Sequence, residues 1–271
     1  MDGMLLTALL LIPALVVAIV FHEVAHGWTA LALGDPTAKE KRRLTLNPIR
    51  HIDPVGTLVV PGALALGDPT AKERRRLTLN PIRHVDPVGT LLVPGALALF
   101  GGPVFGWAKP VPVNARRLDN PRFGMMAVAA AGPLTNIVLA ALGAMALGLT
   151  APAGAQILMS ETGLPQLADA AGTISLLSTG LFFFILINTF LAIFNLLPIP
   201  PFDGSHIVEG AIPRRWVRHY ERLRPFGMLL FVGLIALTWF APGLGVLENT
   251  IGPPVNWALE KFLALADLFA S

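Results

Sequence analysis

The sequence predicts an all-α polytopic membrane protein with about four transmembrane helices. It also predicts a re-entrant or β-hairpin segment between the first two of these helices, and interfacial helices elsewhere. Hydrophobic residues make up 54% of the 271 residues and charged residues only 14%, whereas a soluble domain carries about 25% charged residues. The apolar residues form long uncharged runs, and the basic residues are clustered between those runs. We expect a single membrane-embedded domain over residues 1–271.

Four apolar runs are long enough to cross a bilayer, which takes about 20 residues of helix. They are Met4–Leu33, Phe123–Leu149, Leu176–Leu197 and Phe226–Leu247. The first run lacks the basic start and the small-residue cleavage site of a secretory signal, so we expect it to stay as a membrane helix. The final stretch, Val255–Ala270, is apolar at helical spacing but contains charged residues, which predicts an interfacial helix.

A fifth apolar run, Val88–Ala108, contains two prolines and a Gly-Gly pair, which disfavour a straight helix. Lysine and arginine concentrate in cytoplasmic loops. If the fifth run enters the membrane and returns, all the basic clusters lie on one side. We therefore predict a re-entrant segment, with the N-terminus outside the cell. The clusters hold 19 of the 20 Lys and Arg residues and are Lys39–Arg50, Lys72–Arg83, Lys109–Arg122 and Arg214–Arg224.

Residues 30–66 and 63–99 are a tandem duplication with an offset of 33 residues, and only three of the 37 aligned positions differ. Helical repeat arrays have similar periods but need at least three copies. The second copy continues into FGGPVFGWAKPVPVN, whereas the first ends at another GDPT. We expect the second copy to form the re-entrant hairpin and much of the first to form a cytoplasmic bulge or a partial second hairpin.

The stretch FHEVAH at residues 21–26 places two histidines and a carboxylate inside an apolar helix. Residues i and i+4 share one helix face, so His22 and His26 can both face one metal ion, with Glu23 beside them to activate water. An alternative is a helix face on a water-filled cavity in which hydrogen bonds satisfy the histidines. Because each ionisable group at membrane depth costs about 2.5 kcal/mol or more, such residues usually mark function.

A catalytic zinc ion takes three protein ligands and leaves one position for water. The chain has no cysteine, so the third ligand must be a carboxylate or a histidine. Asp203 follows the third apolar run, where Pro198, Pro200 and Pro201 end the helix. An Asp-Gly pair after prolines is often only a turn, but this one lies at the same expected depth as the histidines. The sequence therefore predicts one zinc ion held by His22, His26 and Asp203.

Several stretches together resemble the site-2 protease family of intramembrane zinc metalloproteases, in its compact bacterial form without a PDZ domain. These stretches are FHEVAHGW, LTLNPIRHVDPVGTLL, GWAKPVPVN, AGPLTN and NLLPIPPFDG. The resemblance implies that His22, His26 and Asp203 bind zinc and that Glu23 is the catalytic base. It also implies that Gly132, Pro133 and Asn136 help to position substrate, and Asn195 belongs to the motif around the aspartate.

The resemblance further implies a site that faces the cytoplasm in a multi-pass protein of the cell membrane. The expected partners are the lipid bilayer and a single-pass or membrane-anchored protein substrate. The modest net charge of +3 does not suggest a nucleic-acid partner. Asn188, in the third apolar run, is expected to form a hydrogen bond between helices.

Two other functions fit the same residues. A zinc-binding membrane scaffold, made inactive by the duplication, would keep the ligands and the base. A metal transporter would place its ligands along a path open to both sides, whereas all the candidate ligands here lie in the inner half of the membrane. The sequence therefore favours the protease.

Overall fold

The computed structural model describes residues 3–47, 111–152, 154–159, 165–222 and 224–270, most of which are helical. Two strands, β1 (Gln156–Met159) and β2 (Pro165–Ala168), form an antiparallel hairpin. Met1–Leu46 and Pro112–Ser271 form one compact unit, and the second unit, Asn47–Val111, lies almost wholly outside the described residues. The helices are α1 (Gly3–Ala32), α2 (Thr37–Glu40), α3 (Pro121–Thr150), α4 (Leu176–Asn195), α5 (Asp203–Ala211), α6 (Arg214–Glu221), α7 (Arg224–Phe240), α8 (Val246–Thr250) and α9 (Gly252–Asp267).

Three of the described helices are long and apolar enough to cross a membrane. The apolar segments are Leu9–Ala32 of α1, Pro121–Thr150 of α3 and Leu176–Asn195 of α4, with lengths of 24, 30 and 20 residues. They coincide with the first three predicted spans. Their number and composition make the chain a multi-pass membrane protein.

The fourth predicted span, Phe226–Leu247, is not confirmed. Helix α7 covers Arg224–Phe240, has 17 residues, and is followed by a 3-10 turn at Pro242–Leu244. At 1.5 Å per residue, such a helix is about 25 Å long, shorter than the roughly 30 Å hydrocarbon core. Proline has no backbone N–H to continue the helix. The predicted re-entrant segment, Val88–Ala108, lies outside the described residues.

Helix α3 is the centre of the bundle and packs against α1, α4, α5 and α9. Small residues on its surface allow neighbouring backbones to approach closely. At Gly148 a Cβ atom would lie 2.1 Å from the Ala266 carbonyl oxygen, so only glycine permits the observed contact with α9. Helix α9 corresponds to the predicted helix Val255–Ala270, and its Val255 and Ala266 are buried.

The β1–β2 hairpin lies in the loop between α3 and α4, where the sequence predicted no strands. Gln156 pairs with Ala168 and Met159 with Pro165. The backbone N–H of Leu167 donates a hydrogen bond of 3.0 Å to the Thr179 hydroxyl, which attaches β2 to the first turn of α4. Each strand has only four residues, too few for a clear alternating pattern in the sequence.

The beginning of the first repeat copy is folded against the chain that follows the second copy. Helix α1 ends in a Schellman motif, in which Gly34 has a φ of +96° and the Asp35 N–H donates to the Ala30 carbonyl at 2.9 Å. The Asp119 N–H then donates to the Leu33 carbonyl at 3.0 Å. The rest of the first copy from residue 48 onward, and the second copy, lie outside the described residues.

Asp35 connects these two parts of the chain. Its fully buried carboxylate accepts hydrogen bonds from the Thr37 N–H at 3.0 Å and the Asn114 N–H at 2.6 Å, and another from the Thr37 hydroxyl. Burial opposes ionisation of Asp35, but these hydrogen bonds outweigh it and lower the pKa of the carboxyl. The carboxylate is therefore charged at neutral pH.

We expect Asp35→Ala to lower the stability of the purified protein by about 2 kcal/mol or more, since a hydrogen bond to a charged group contributes about 1.5–3 kcal/mol. The apparent melting temperature in detergent solution measures the effect. Asp267→Ala, at an exposed position on α9, is the matched control. Equal melting temperatures for the two variants would contradict the role of Asp35.

The same pair of variants tests the pH dependence. Because the pKa of Asp35 is lower in the folded state than in the unfolded state, its stabilising effect is present above about pH 4. This contribution is lost as the pH falls through the folded-state pKa. The difference in melting temperature between wild type and Asp35→Ala should therefore shrink in acid below about pH 4.

Candidate metal centre

Helix α1 presents the two histidines on the face that packs against α3. His22 and His26 are 7% and 9% exposed, whereas Glu23 is only half-buried. The two imidazole rings are 4.6 Å apart between centroids and nearly perpendicular to each other. The i, i+4 spacing thus brings both rings to one place in an otherwise apolar helix.

Asp203 is the first residue of α5, after an irregular segment that follows α4. That segment contains a cis Pro200–Pro201 peptide bond. At Gly204 a Cβ atom would lie 2.3 Å from the Leu196 carbonyl oxygen and 2.4 Å from that of Leu197. The glycine of the Asp-Gly pair is therefore needed to bring the start of α5 against the end of α4, with Asp203 beside the histidines.

The three side chains converge on one point. The Asp203 Oδ2 atom lies 3.1 Å from His22 Nε2 and 3.3 Å from His26 Nε2. All three potential ligand atoms lie within 4.8 Å of one another. A tetrahedral zinc ion with bonds of about 2.0–2.1 Å separates its ligand atoms by about 3.3–3.4 Å. The two measured distances agree with that geometry, so these residues could hold a zinc ion with little movement.

Gly132 on α3 borders the two potential ligand nitrogens. A Cβ atom at this position would lie 2.5 Å from His26 Nε2 and 2.6 Å from His22 Nε2. Any larger residue would fill space next to the atoms that would bind the metal. The absence of a side chain at residue 132 therefore keeps that space open.

The charge of Asp203 suits a metal ligand. Burial opposes its ionisation, but the His22 and His26 imidazoles, which can each carry a second proton on Nε2 when no metal is bound, outweigh burial and hold the pKa of Asp203 at about 2. The carboxylate is therefore ionised at neutral pH and can bind a cation without first losing a proton.

The other nitrogen of each imidazole also has a partner on α3. His22 Nδ1 lies 2.5 Å from Asn136 Oδ1, and His26 Nδ1 lies 2.7 Å from the Val128 carbonyl oxygen. Both partners are acceptors, so each Nδ1 carries a proton and each Nε2 has its lone pair available. This is the usual arrangement of histidines that bind metal.

Of the other predicted site residues, some contact the three potential ligands and some do not. Pro133 and Asn136 are fully buried in α3, and Asn136 contacts His22. The Asn195 amide donates a hydrogen bond of 3.0 Å to the Leu191 carbonyl of its own helix, and its side chain is half-buried. Two asparagines were predicted as site residues. Among the described contacts, Asn136 contacts a potential metal ligand and Asn195 does not.

Sequence reasoning missed an ion-pair cluster that holds α5 in place. Glu209 is only 9% exposed, and Arg224 contacts its two carboxylate oxygens at 2.9 Å and 2.5 Å. His206 Nδ1 lies 3.2 Å from the same carboxylate, and Arg122 on α3 donates to the Glu209 carbonyl at 3.1 Å. The hydrogen bond to Glu209 raises the pKa of Arg224. The spacing of three residues between His206 and Glu209 was a signal for this pair, but Arg224 is 15 residues from Glu209 and beyond the reach of helical spacing.

The fold and site define a multi-pass membrane protein with a candidate metal-binding group of two buried histidines and one half-buried carboxylate. A model of peptidase family M50 matches residues 10–238. The chain is also 34% identical over 270 residues to "Putative zinc metalloprotease YwhC" of Bacillus subtilis (strain 168), with 98% of this chain and 96% of the relative covered. No solved structure matches the chain.

The chain therefore belongs to peptidase family M50, the site-2 protease family. Membership of this family and the similarity to the B. subtilis protein identify a membrane metalloprotease.

We expect Gly132→Ala to reduce zinc affinity by about tenfold or more, because the added methyl group displaces both imidazoles. Competition with a chromophoric chelator measures the affinity. Gly180→Ala on α4 is the matched control, because its Cβ atom would meet its nearest neighbour, Leu10, at an ordinary 3.5 Å. If both variants bind zinc like the wild type, Gly132 does not border the metal.

Proposed function

We propose that this protein is an intramembrane zinc metalloprotease that hydrolyses peptide bonds of membrane-anchored protein substrates, as in regulated intramembrane proteolysis. The observation that carries the proposal is the convergence of His22, His26 and Asp203. Two of these residues belong to an apolar helix that is long enough to cross the membrane. Such a site can act on a substrate at membrane depth.

His22 and His26, together with Asp203, would hold the zinc ion. When bound at such a site, zinc acts as a Lewis acid that polarises the scissile carbonyl and lowers the pKa of a water molecule to about 7. These three residues would serve as the ligands, and a catalytic zinc site needs three protein ligands with one position left for the reaction. This ligand number is typical of a catalytic zinc site and not of a structural one.

Glu23 is the proposed general base. It follows His22 directly on α1 and, unlike both histidines, is only half-buried. Its carboxylate can accept a proton from the attacking water and later deliver it to the leaving amine. Glutamate has this role in the H-E-x-x-H arrangement of zinc hydrolases.

The proposed orientation places the site toward the cytoplasm and the N-terminus outside. Helices α1 and α3 are antiparallel, as the contacts of His26 with Val128 and of Leu33 with Asp119 require. The metal-binding group is therefore in the half of α1 that leads to the basic cluster Lys39–Arg50, and in the half of α3 that contains Arg122. Because basic residues concentrate on the cytoplasmic side, that end of the bundle is the inner one.

Asn195 is the better of the two asparagines for direct contact with a substrate. Its side chain is half-buried, whereas the Asn136 side chain is fully buried and fully engaged with other groups. Gly132 borders the histidines, and Pro133 is buried in α3. Gly132, Pro133 and Asn136 therefore pack behind the site, on the side of α3.

Replacing Glu23 by glutamine should greatly slow proteolysis while preserving the metal site. We expect Glu23→Gln to cut a single-span substrate about 10²–10⁴ times more slowly than wild type, because general base catalysis contributes that much. Its zinc affinity should stay near the wild-type value. Purified protein reconstituted in a bilayer provides the assay, and Glu260→Gln, at an exposed position on α9, is the control.

Unchanged cleavage by Glu23→Gln would overturn the role of Glu23. A version without residues 31–63 retains one copy of the repeat and separates the protease from a disabled scaffold. If the full chain cleaves the substrate, the duplication is compatible with activity. Cleavage by the deletion variant alone would overturn the proposal for the full chain and support a zinc-binding scaffold.

A further inference from the structure

A chain of polar side chains leads away from the metal-binding group through the interior of the bundle. His22 on α1 contacts Asn136 on α3, and the Asn136 Nδ2 atom donates a hydrogen bond of 2.8 Å to Asn188 Oδ1 on α4. Both asparagines are completely buried, with 0% exposure. Polar residues inside a membrane bundle require partners because no water replaces them there. The chain of hydrogen bonds therefore joins all three long helices.

The hydrogen bonds fix the direction of both amides. The Asn136 amide has two N–H donors, which point to the Ala18 carbonyl at 3.2 Å and to Asn188 Oδ1 at 2.8 Å. The Asn188 amide in turn donates to the Phe184 carbonyl at 2.8 Å. If Asn136 were flipped, its oxygen would face two acceptors. The Asn136 oxygen must therefore face His22 Nδ1.

An oxygen at that position determines which nitrogen of His22 carries the proton. Oxygen Oδ1 can only accept, so Nδ1 must donate, and the lone pair of the ring is then on Nε2, next to Asp203. His26 needs no such side chains, because its Nδ1 donates to the Val128 carbonyl, a backbone group that cannot flip.

We propose that Asn136 and Asn188 are positioning residues for metal binding: Asn136 holds His22 in the tautomer that binds zinc, and Asn188 holds Asn136 in the orientation that this requires. This inference rests on the proposed zinc site and assigns Asn136 a role toward His22 and not toward the substrate. Neither asparagine touches the metal or the reacting atoms. Asn188 acts only through Asn136.

Zinc affinity of the full-length, purified protein tests the inference without relying on activity. Competition with a chromophoric chelator gives the affinity, and the visible spectrum of the cobalt-substituted protein gives the ligand geometry. Asn136→Leu removes the acceptor and should lower zinc affinity by about 10–100-fold, the usual effect of losing such a partner. Asn136→Asp keeps an oxygen for the Nδ1 proton, and its buried carboxyl in the protonated form can donate to Asn188 Oδ1 as the amide does, so it should recover most of that loss.

The pair of asparagines allows a double-mutant cycle. Asn188→Leu should weaken zinc binding less than Asn136→Leu, because it only frees Asn136 to rotate. The double variant should bind zinc no more weakly than Asn136→Leu alone, because the effect of Asn188 passes through Asn136. Thr189→Val is the control, since the buried Thr189 hydroxyl donates to the Ile185 carbonyl of its own helix and, among the described residues, makes no hydrogen bond to either asparagine. It should bind zinc like the wild type.

Several results would overturn the inference. Asn136→Leu with zinc affinity within about twofold of wild type would do so, and so would equal losses for Asn136→Leu and Asn136→Asp. Additive losses in the double variant would show that Asn188 stabilises the bundle independently. Should Asn136→Leu not fold, Asn136→Asp and Asn188→Leu, each compared with Thr189→Val, decide the question.

The proposed function can fail separately. A wild-type protein that binds no zinc would overturn the protease proposal and the present inference together. A wild type that binds one zinc ion and cleaves substrate, but whose affinity is unaffected by these asparagines, would overturn only the inference.

Discussion

The buried histidine pair is the feature on which the rest of this structure depends. Two imidazoles inside an apolar helix bundle must find partners for all four ring nitrogens, because unsatisfied polar groups are costly where no water is present. Each nitrogen has one partner: both Nε2 atoms face Asp203, and the two Nδ1 atoms face Asn136 and the Val128 carbonyl. These four contacts hold α3 beside α1 and hold the start of α5 next to both histidines.

Glycines provide the close approaches that these contacts need. Gly132 lies against the two imidazoles, Gly204 lies against the carbonyls that end α4, and Gly148 lies against α9. In a membrane, helices gain little from burying apolar surface against one another, and close backbone packing together with hydrogen bonds between helices holds a bundle together. The same small residues thus serve both the stability of the bundle and the geometry of the site.

The sequence predicted the parts that depend on local pattern. Three spans follow from the length of apolar runs. The helical spacing of His22 and His26 and the prolines before Asp203 predicted that these three side chains would meet. The parts that depend on tertiary contacts could not be predicted in this way. The short β1–β2 hairpin is fixed by its contact with Thr179, and α7 ends at Phe240 although the hydrophobic run continues. Asn188 was expected to bond between helices, but its link to His22 through Asn136 appears only in three dimensions.

The central claim is that two helix-borne imidazoles and the Asp203 carboxylate bind one zinc ion. X-ray absorption spectroscopy of the zinc-loaded, full-length protein tests this most directly. The claim predicts a first shell of four nitrogen and oxygen atoms at about 2.0–2.2 Å, with the scattering signature of two imidazoles. A shell without imidazole scattering, or one dominated by water oxygens, would contradict it.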